Sequence, residues 1–280
     1  VAKRRDYTGE NWLSAGGRGF TLDPNSPLAR ADFLAIGDAQ GQARGARITA
    51  AASLSESDLS RWLGERVERR SVLEWTGDRV EARLERRLGA IVLAAGPDPQ
   101  PDPDAIGALL VDKAVDRLED MIPHSFLARA GFAGISSLSL PALRKSAADW
   151  LAPLLQGRRD LDIPHGEITN ALLASLDWDE RQSLDRLAPR EFRSPAGTAH
   201  AIDYASDDAP SVEVRAQALF GLDRQPMIGD TPLLLKLTSP AGRPIQSTRD
   251  LPGFWRGSWA EVKKEMKGRY PKHRWPDEPW

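Results

Sequence analysis

The stretch "GPDPQPDPDA" at 96–105 places prolines at 97, 99, 101 and 103. Proline fixes φ near about −65° and has no N–H to donate, so such a run is barred from a helix interior and from a central strand. It reads as an extended linker over 96–104. The patterning differs on its two sides. Before it, "NWLSAGGRGFTL" reads as strand, Gly-rich turn and strand, and "DFLAIGDAQGQARGARITAAASL" repeats the scheme. "SESDLSRWLGERV" follows, with the Ser55-x-x-Asp58 spacing of a helix N-terminus. "VERRSVLEWTGDRVEARLERRLGAIVLAAG" then reads as two or three strands. Gly77-Asp78 forms its first turn, and Val80, Ala82 and Leu84 alternate with Glu81, Arg83 and Glu85. Short strands, glycine turns and one helix in 1–95 predict a small OB-like β-barrel.

After the prolines, residues 105–190 read as helical. Asp104 is positioned to cap "AIGALLVDKAVDRLEDM", in which Ile106, Leu109, Leu110, Lys113 and Leu118 follow helical spacing in part. "SLPALRKSAADWLAPLL" and "HGEITNALLASLDWDERQSLDRLAP" are better amphipathic helices, the second with Ile168, Leu172, Leu176 and Leu184 on related turns. From 191 to 255 the period returns to two. Ser-Pro-Ala-Gly occurs at 194–197 and again at 239–242, each time ahead of a β-like run, as expected of a turn with Pro second and Gly last. Residues 256–280 complete the chain as a basic helix and a Trp-rich extended tail. The fold class expected is therefore α+β: an OB-like barrel, a helical middle, and a second β-rich domain ending in a helix and tail.

Hydrophobic residues are 41% and charged residues 28% of the 280, which excludes a disordered chain. There is no Cys, so neither disulfides nor thiolate metal sites are available, which fits a reducing cytoplasm. No apolar run approaches the ~20 residues that span a bilayer, so no membrane association is expected. Val1 stands where an initiator Met would, and no signal-peptide pattern follows, which leads us to expect a piece of a longer protein. Net charge is −2, but Lys/Arg minus Asp/Glu is 15 − 13 = +2 over 1–95 and 8 − 5 = +3 over 249–280. If the two ends meet they form a basic surface for an anionic partner; if not, they are solvated faces.

Catalytic motifs are absent. There is no G-x-x-x-x-G-K-[ST] phosphate loop and no G-x-S-x-G elbow. His124, His165, His200 and His273 are isolated, without metal-ligand spacing. "AGGRGF" at 15–20 lacks the strand–turn–helix setting of a dinucleotide site and reads as a hairpin turn. We therefore expect no catalytic residues, no metal and no cofactor in this chain.

The tail "RDLPGFWRGSWAEVKKEMKGRYPKHRWPDEPW" holds four of the nine tryptophans. Ser258 to Glu261 has capping-box spacing and Gly268 is a natural stop, so a helix from Trp259 to Lys267 would align Trp259, Val262 and Met266. Trp255, Trp259, Tyr270 and Trp275 read as anchors that fasten this terminus by aromatic burial. The flank of Arg256, Lys263, Lys264, Lys267, Arg269, Lys272 and Arg274 is a candidate phosphate-contacting surface.

The same tail, from "SPAGRPIQSTRDL" to "RYPKHRWP", resembles the C-terminal signature of the HrpB family of bacterial DEAH-type ATP-dependent RNA helicases, with Trp259 and Arg274 as mild departures. "AKRRDYTGENWLSAGGRGFTLDPNSPLARADFLAI" and "ARITAAASLSESDL" are similar to the family's region following the motor, and the resemblance is weakest between about 97 and 140. The resemblance implies that the ATPase motor, with its ATP and magnesium, lies upstream of Val1. It also implies that the OB-like domain helps line a nucleic-acid channel. That makes Arg4, Arg5, Arg18, Arg44 and Arg47 candidates for backbone contacts. The implied role is an accessory C-terminal region supporting single-stranded RNA binding by the motor; the alternative is a protein–protein docking module, with the motor domains as partners and no nucleic-acid contact.

Overall fold

The computed structural model describes residues 1–41 and 45–280. The chain forms two compact units, Val1–Leu110 with Gly157–Leu161, and Val111–Gln156 with Asp162–Trp280. Helices and strands are both well represented, as the α+β reading requires, and the first unit holds a small closed barrel.

The barrel strands are β1 (Ala2–Arg4), β2 (Asn11–Ser14), β3 (Gly19–Thr21), β4 (Phe33–Gln40) and β5 (Ala46–Leu54). β1 pairs with both β2 and β4, β3 pairs with β2 and, in parallel, with β5, and the β4–β5 hairpin closes the cylinder. Its core is Ala2, Trp12, Leu22, Ala29, Leu34 and Ile48. Trp12 is its largest side chain, and the Trp12 Nε1–H donates to the Gly9 carbonyl at 2.7 Å, so the buried indole keeps its hydrogen bond. Gly9 has φ +73°, and a Cβ there would lie 2.0 Å from the Ala29 oxygen, so only glycine fits. The loop before it is tied by Asp6, whose carboxylate accepts from the Thr8 hydroxyl, the Gly9, Glu10 and Asn11 amides and the Asn11 side chain.

The barrel closes within Ala2–Leu54, a smaller span than the 1–95 from which it was inferred. Helix α1 (Glu56–Leu63) starts with the expected box, Ser55 accepting from the Asp58 amide at 3.1 Å and Asp58 from the Ser55 amide at 2.9 Å. The next strands, β6 (Glu68–Thr76), β7 (Arg79–Leu88) and β8 (Ile91–Pro97), form a separate antiparallel sheet, with Gly77-Asp78 as the β6–β7 turn. Leu88 and Ile91 pack with Leu59 of α1 and Phe33 of the barrel, so the β7–β8 turn and α1 plug one barrel end.

Two of the four prolines of the run lie inside regular elements, and 98–102 connect those elements. Pro97 still pairs with Arg83 at the end of β8, and Pro103 opens α2 (Pro103–Val115), both positions where a missing N–H costs little. Asp104 is not the cap of α2. It lies in the first turn, and the Asp102 carboxylate accepts its amide at 3.0 Å. The division between the two units falls inside α2.

In the second unit the helices are shorter than their patterns imply. They are α3 (Leu118–Met121), α4 (His124–Phe132), α5 (Leu140–Lys145), α6 (Ala147–Trp150), α7 (Ala152–Leu155), α8 (His165–Ala174) and α9 (Trp178–Leu187). Pro141 and Pro153 open α5 and α7, and the Asp177 carboxylate accepts from the Glu180 amide at 2.7 Å, ending one apparent helix and starting another. The buried Arg129 of α4 caps the end of α9, donating to Ala188 O at 2.7 Å and to the Asp185 carboxylate at 2.6 Å.

The remaining strands are β9 (Glu191–Arg193), β10 (Ala199–Ala201), β11 (Ser211–Arg215), β12 (Met227–Ile228), β13 (Thr231–Pro232), β14 (Leu234–Thr238) and β15 (Pro244–Thr248). β14 is central in a three-stranded sheet, parallel to β11 and antiparallel to β15. The two Ser-Pro-Ala-Gly stretches make the β9–β10 and β14–β15 turns. In each, the glycine has positive φ and donates to the serine carbonyl at 2.9 Å. Helices α10 (Leu251–Arg256) and α11 (Trp259–Arg269) follow.

Candidate nucleic-acid interface

The C-terminal segment is built around Trp259, which is 1% exposed. The Asp250 carboxylate accepts from the Gly253 amide at 2.9 Å and starts α10, with Pro252 in its first turn. Gly257 ends α10, and α11 begins two residues later. This brings Phe254, Trp255 and Trp259 onto one apolar wall with Phe220. The Trp255–Trp259 and Phe220–Trp259 rings meet edge to face at 5.2 and 5.5 Å, and Trp275 lies tilted against Trp259 at 6.0 Å.

After α11 the chain doubles back as a strap. Pro271, Pro276 and Pro279 lack donors and favour extended backbone. Their neighbouring carbonyls serve instead as acceptors. The Trp275 indole donates to Tyr270 O at 3.0 Å and the Trp259 indole to Pro276 O at 3.0 Å, while the Gly221 amide donates to Pro279 O at 2.7 Å. The Trp255 indole is satisfied by Leu222 O at 2.9 Å. Trp255 is buried, Tyr270 and Trp275 are half-buried, and Trp280 is 48% exposed.

Two readings of this helix are corrected. Ser258 has helical backbone (φ −70°, ψ −17°) and makes no side-chain cap, because the turn out of α10 already places it in the helix. Gly268 does not stop α11, which runs through it to Arg269 and closes with the Tyr270 amide donating to Met266 O at 2.7 Å.

The cations of α11 and its flanks divide into two groups. Lys263 is ion-paired with Asp277 of the strap, and its hydrogen bond and charge hold that carboxyl below the usual carboxylate range. Arg269 pairs with Glu265 one turn away at 3.1 Å. Lys264, Lys267, Arg256 and Lys272 are exposed and, among the described residues, make no ion pair. Arg274 is exposed and its carbonyl accepts from Gln217 at 3.4 Å.

In the first unit, Arg4 is paired with Asp32 at 2.8 Å and Arg47 lies 3.8 Å from Asp23. Arg18, in the β2–β3 turn, sits over the Phe20 ring at 5.0 Å. Arg5 is exposed just after β1, and Arg44 lies outside the described residues. Arg4 and Arg47 thus carry acidic neighbours that were invisible in the sequence.

Other cavities contrast with one another. A groove of about 630 Å³ on the β7–β8 sheet is lined by Arg83 and Arg159 but also by Glu81 and Asp98, so its charges offset. The Ser71 hydroxyl and the Gln100 amide keep the Asp98 carboxyl low. A second groove, of about 560 Å³, lies in the other unit between the β9–β10 hairpin and 222–227. Among the described residues, its charged lining groups are Arg193 and Arg224 alone. Sequence reasoning missed this pair because about thirty residues separate the two arginines and no motif joins them. Among the described residues no group of three or more His, Cys, Asp or Glu is placed to hold a metal, and no helix is long and apolar enough to cross a membrane. Tyr204 is not a proton donor in waiting: burial pushes its hydroxyl up to about 12 and it donates to Pro189 O at 2.8 Å.

A family described as ATP-dependent helicase C-terminal matches residues 150–279. The ATP-dependent RNA helicase HrpB of Escherichia coli (strain K12) is 35% identical over 301 residues, covering all of this chain and 37% of that protein. A crystal structure of the E. coli DExH-box NTPase HrpB aligns at 32% identity and TM-score 0.58, over 99% of this chain and 37% of that one. A second crystal structure, of the E. coli DEAH/RHA helicase HrpB, aligns at 28% identity and TM-score 0.53, over 98% of this chain and 36% of that one. The chain thus spans a little over a third of the length of the relatives it matches.

Proposed function

Because the chain belongs to the HrpB family of helicases and corresponds to its C-terminal portion, we propose that it is the accessory region of an ATP-dependent RNA helicase. In this reading it supports single-stranded RNA binding by a motor elsewhere in the same polypeptide, where ATP and magnesium act. The observation that carries the reading is the set of exposed cations on α11 and its flanks, Arg256, Lys264, Lys267 and Lys272, which form no ion pair among the described residues, on a helix pinned by Trp259. Lysines fixed on a rigid helix meet phosphates with little ordering cost, and binding of that kind weakens linearly in log salt. Arg5, Arg18, Arg4 and Arg47 are further candidates on the barrel unit, Arg4 and Arg47 with their charge shared with Asp32 and Asp23.

Fluorescence anisotropy of the chain with a short labelled single-stranded RNA tests this. Binding should fall steeply with salt, and K264E/K267E should weaken it about tenfold or more at low salt. No binding, or binding indifferent to salt and to those substitutions, refutes the reading. A docking role has its own support in Trp62 and Trp178, 70% and 72% exposed. It predicts that the separate motor domains bind the chain, and that W62A or W178A abolishes this without changing RNA affinity.

A further inference from the structure

We propose that the groove between the β9–β10 hairpin and residues 222–227 holds one nucleotide of a single-stranded RNA, with its phosphate on Arg193 and Arg224 and its base against Phe192 and Met227. This rests on the RNA-binding reading above and adds a site remote in sequence from the basic helix.

The groove's chemistry has two parts. Its only charged lining groups are the guanidinia of Arg193 and Arg224; both are exposed, and neither is ion-paired among the described residues. Two cations facing one cleft repel each other and favour an anionic occupant. Guanidinium forks match phosphate oxygens in geometry as well as charge. The remaining walls are flat or apolar: Phe192, Leu222, Pro195, Pro226 and Met227, of which Met227 is 49% exposed. A soft thioether open to solvent beside the half-buried Phe192 ring makes a surface on which a base can stack whatever its identity.

Neither polar side chain of the lining is free to read a base: the Ser194 hydroxyl shares a 2.8 Å hydrogen bond with the Thr198 hydroxyl, and the Gln225 amide is engaged as well. Its nitrogen donates to Leu233 O at 2.7 Å and Pro226 O at 3.1 Å, and its oxygen accepts from the Leu251 amide at 3.0 Å. Gln225 fixes the wall and leaves the site without sequence preference. At about 560 Å³ the cleft has room for one nucleotide, within the usual size range for ligand sites. A nucleotide is favoured over an acidic peptide because it supplies an anion and a planar apolar ring together.

The test uses the whole chain and a fluorescein-labelled uridine hexanucleotide. R193Q/R224Q alters only exposed side chains, so its thermal unfolding should match that of the parent. RNA affinity at low salt should fall about tenfold, with a loss of about 0.7 in log–log salt slope for each phosphate contact removed. Ultraviolet cross-linking followed by peptide mass mapping should place uridine adducts on Phe192 or Met227. Unchanged affinity in R193Q/R224Q, or adducts confined to other peptides, overturns the proposal, as does a groove that binds a glutamate-rich peptide through the two arginines while RNA affinity is unaffected. If only K264E/K267E weakens binding, the groove is wrong and the helix reading stands. If the parent chain binds no RNA, both fall.

Discussion

Replacing Trp259 with alanine probes how the C-terminus is held. Trp259 is 1% exposed and touches Phe220, Phe254, Trp255 and Trp275 at centroid distances between 5.2 and 6.1 Å. Truncating a buried Trp costs about 3–5 kcal/mol in lost transfer and cavity terms. The ring contacts each contribute ~0.5–1.5 kcal/mol and share partners, so they do not add in full. They place W259A at the upper end, about 5 kcal/mol, a large fraction of an ordinary domain's stability. W259F keeps most of the ring volume and loses the N–H bond to Pro276 O, which should cost about 1–2 kcal/mol. W280A, on a 48% exposed side chain, should stay within about 0.5 kcal/mol. Urea unfolding of the three variants, with near-ultraviolet circular dichroism as the probe, gives the ranking. Hydrogen exchange of 270–279 should accelerate in W259A and not in W280A. If W259A costs less than about 1.5 kcal/mol, the strap is not anchored by this residue and the reasoning fails.

Three further predictions concern single positions. Asp6 is pushed up by partial desolvation, but hydrogen bonds from Asn11, Thr8 and Gly9 outweigh this and hold it at about 2, against an ordinary 3.8. Its folded value is depressed, so its stabilisation is complete above 3.8 and is lost as pH falls toward 2. D6N should flatten the acid limb of the stability profile in that window, measured by thermal unfolding from pH 5 down. Gly9→Ala drives a methyl to 2.0 Å from Ala29 O at φ +73° and should cost more than about 3 kcal/mol in urea unfolding. Arg129→Met removes a buried charged donor from the end of α9 and should cost about 2–3 kcal/mol, with faster hydrogen exchange at 184–188.

Local signals were read well where the residues that make an element are adjacent in sequence. The Ser55–Asp58 box, the Gly77-Asp78 turn and both Ser-Pro-Ala-Gly turns form as their spacing requires. Barrel closure was legible only as a class, because β1–β4 and β3–β5 join segments some twenty-five to thirty residues apart. That separation also hid the departure of β6–β8 into their own sheet. Caps were misassigned where a neighbour competes. Asp102 displaces Asp104, and the turn after α10 makes Ser258 helical before its side chain can act. For the candidate interface, composition located the basic flank but could not separate Lys263, consumed by Asp277 fourteen residues on, from Lys264 beside it. The Arg193–Arg224 groove left no trace in the sequence: Arg193 abuts the Ser-Pro-Ala-Gly turn, but nothing local links it to Arg224 about thirty residues on.

Lysine footprinting tests the central claim most directly. The chain is acylated with and without a saturating single-stranded RNA, and modification at each lysine is quantified by mass spectrometry. Lys264, Lys267 and Lys272 should be protected by RNA, with protection lost at high salt, while Lys263, already engaged by Asp277, should react slowly in both states. Equal modification of Lys264, Lys267 and Lys272 with and without RNA would contradict the account.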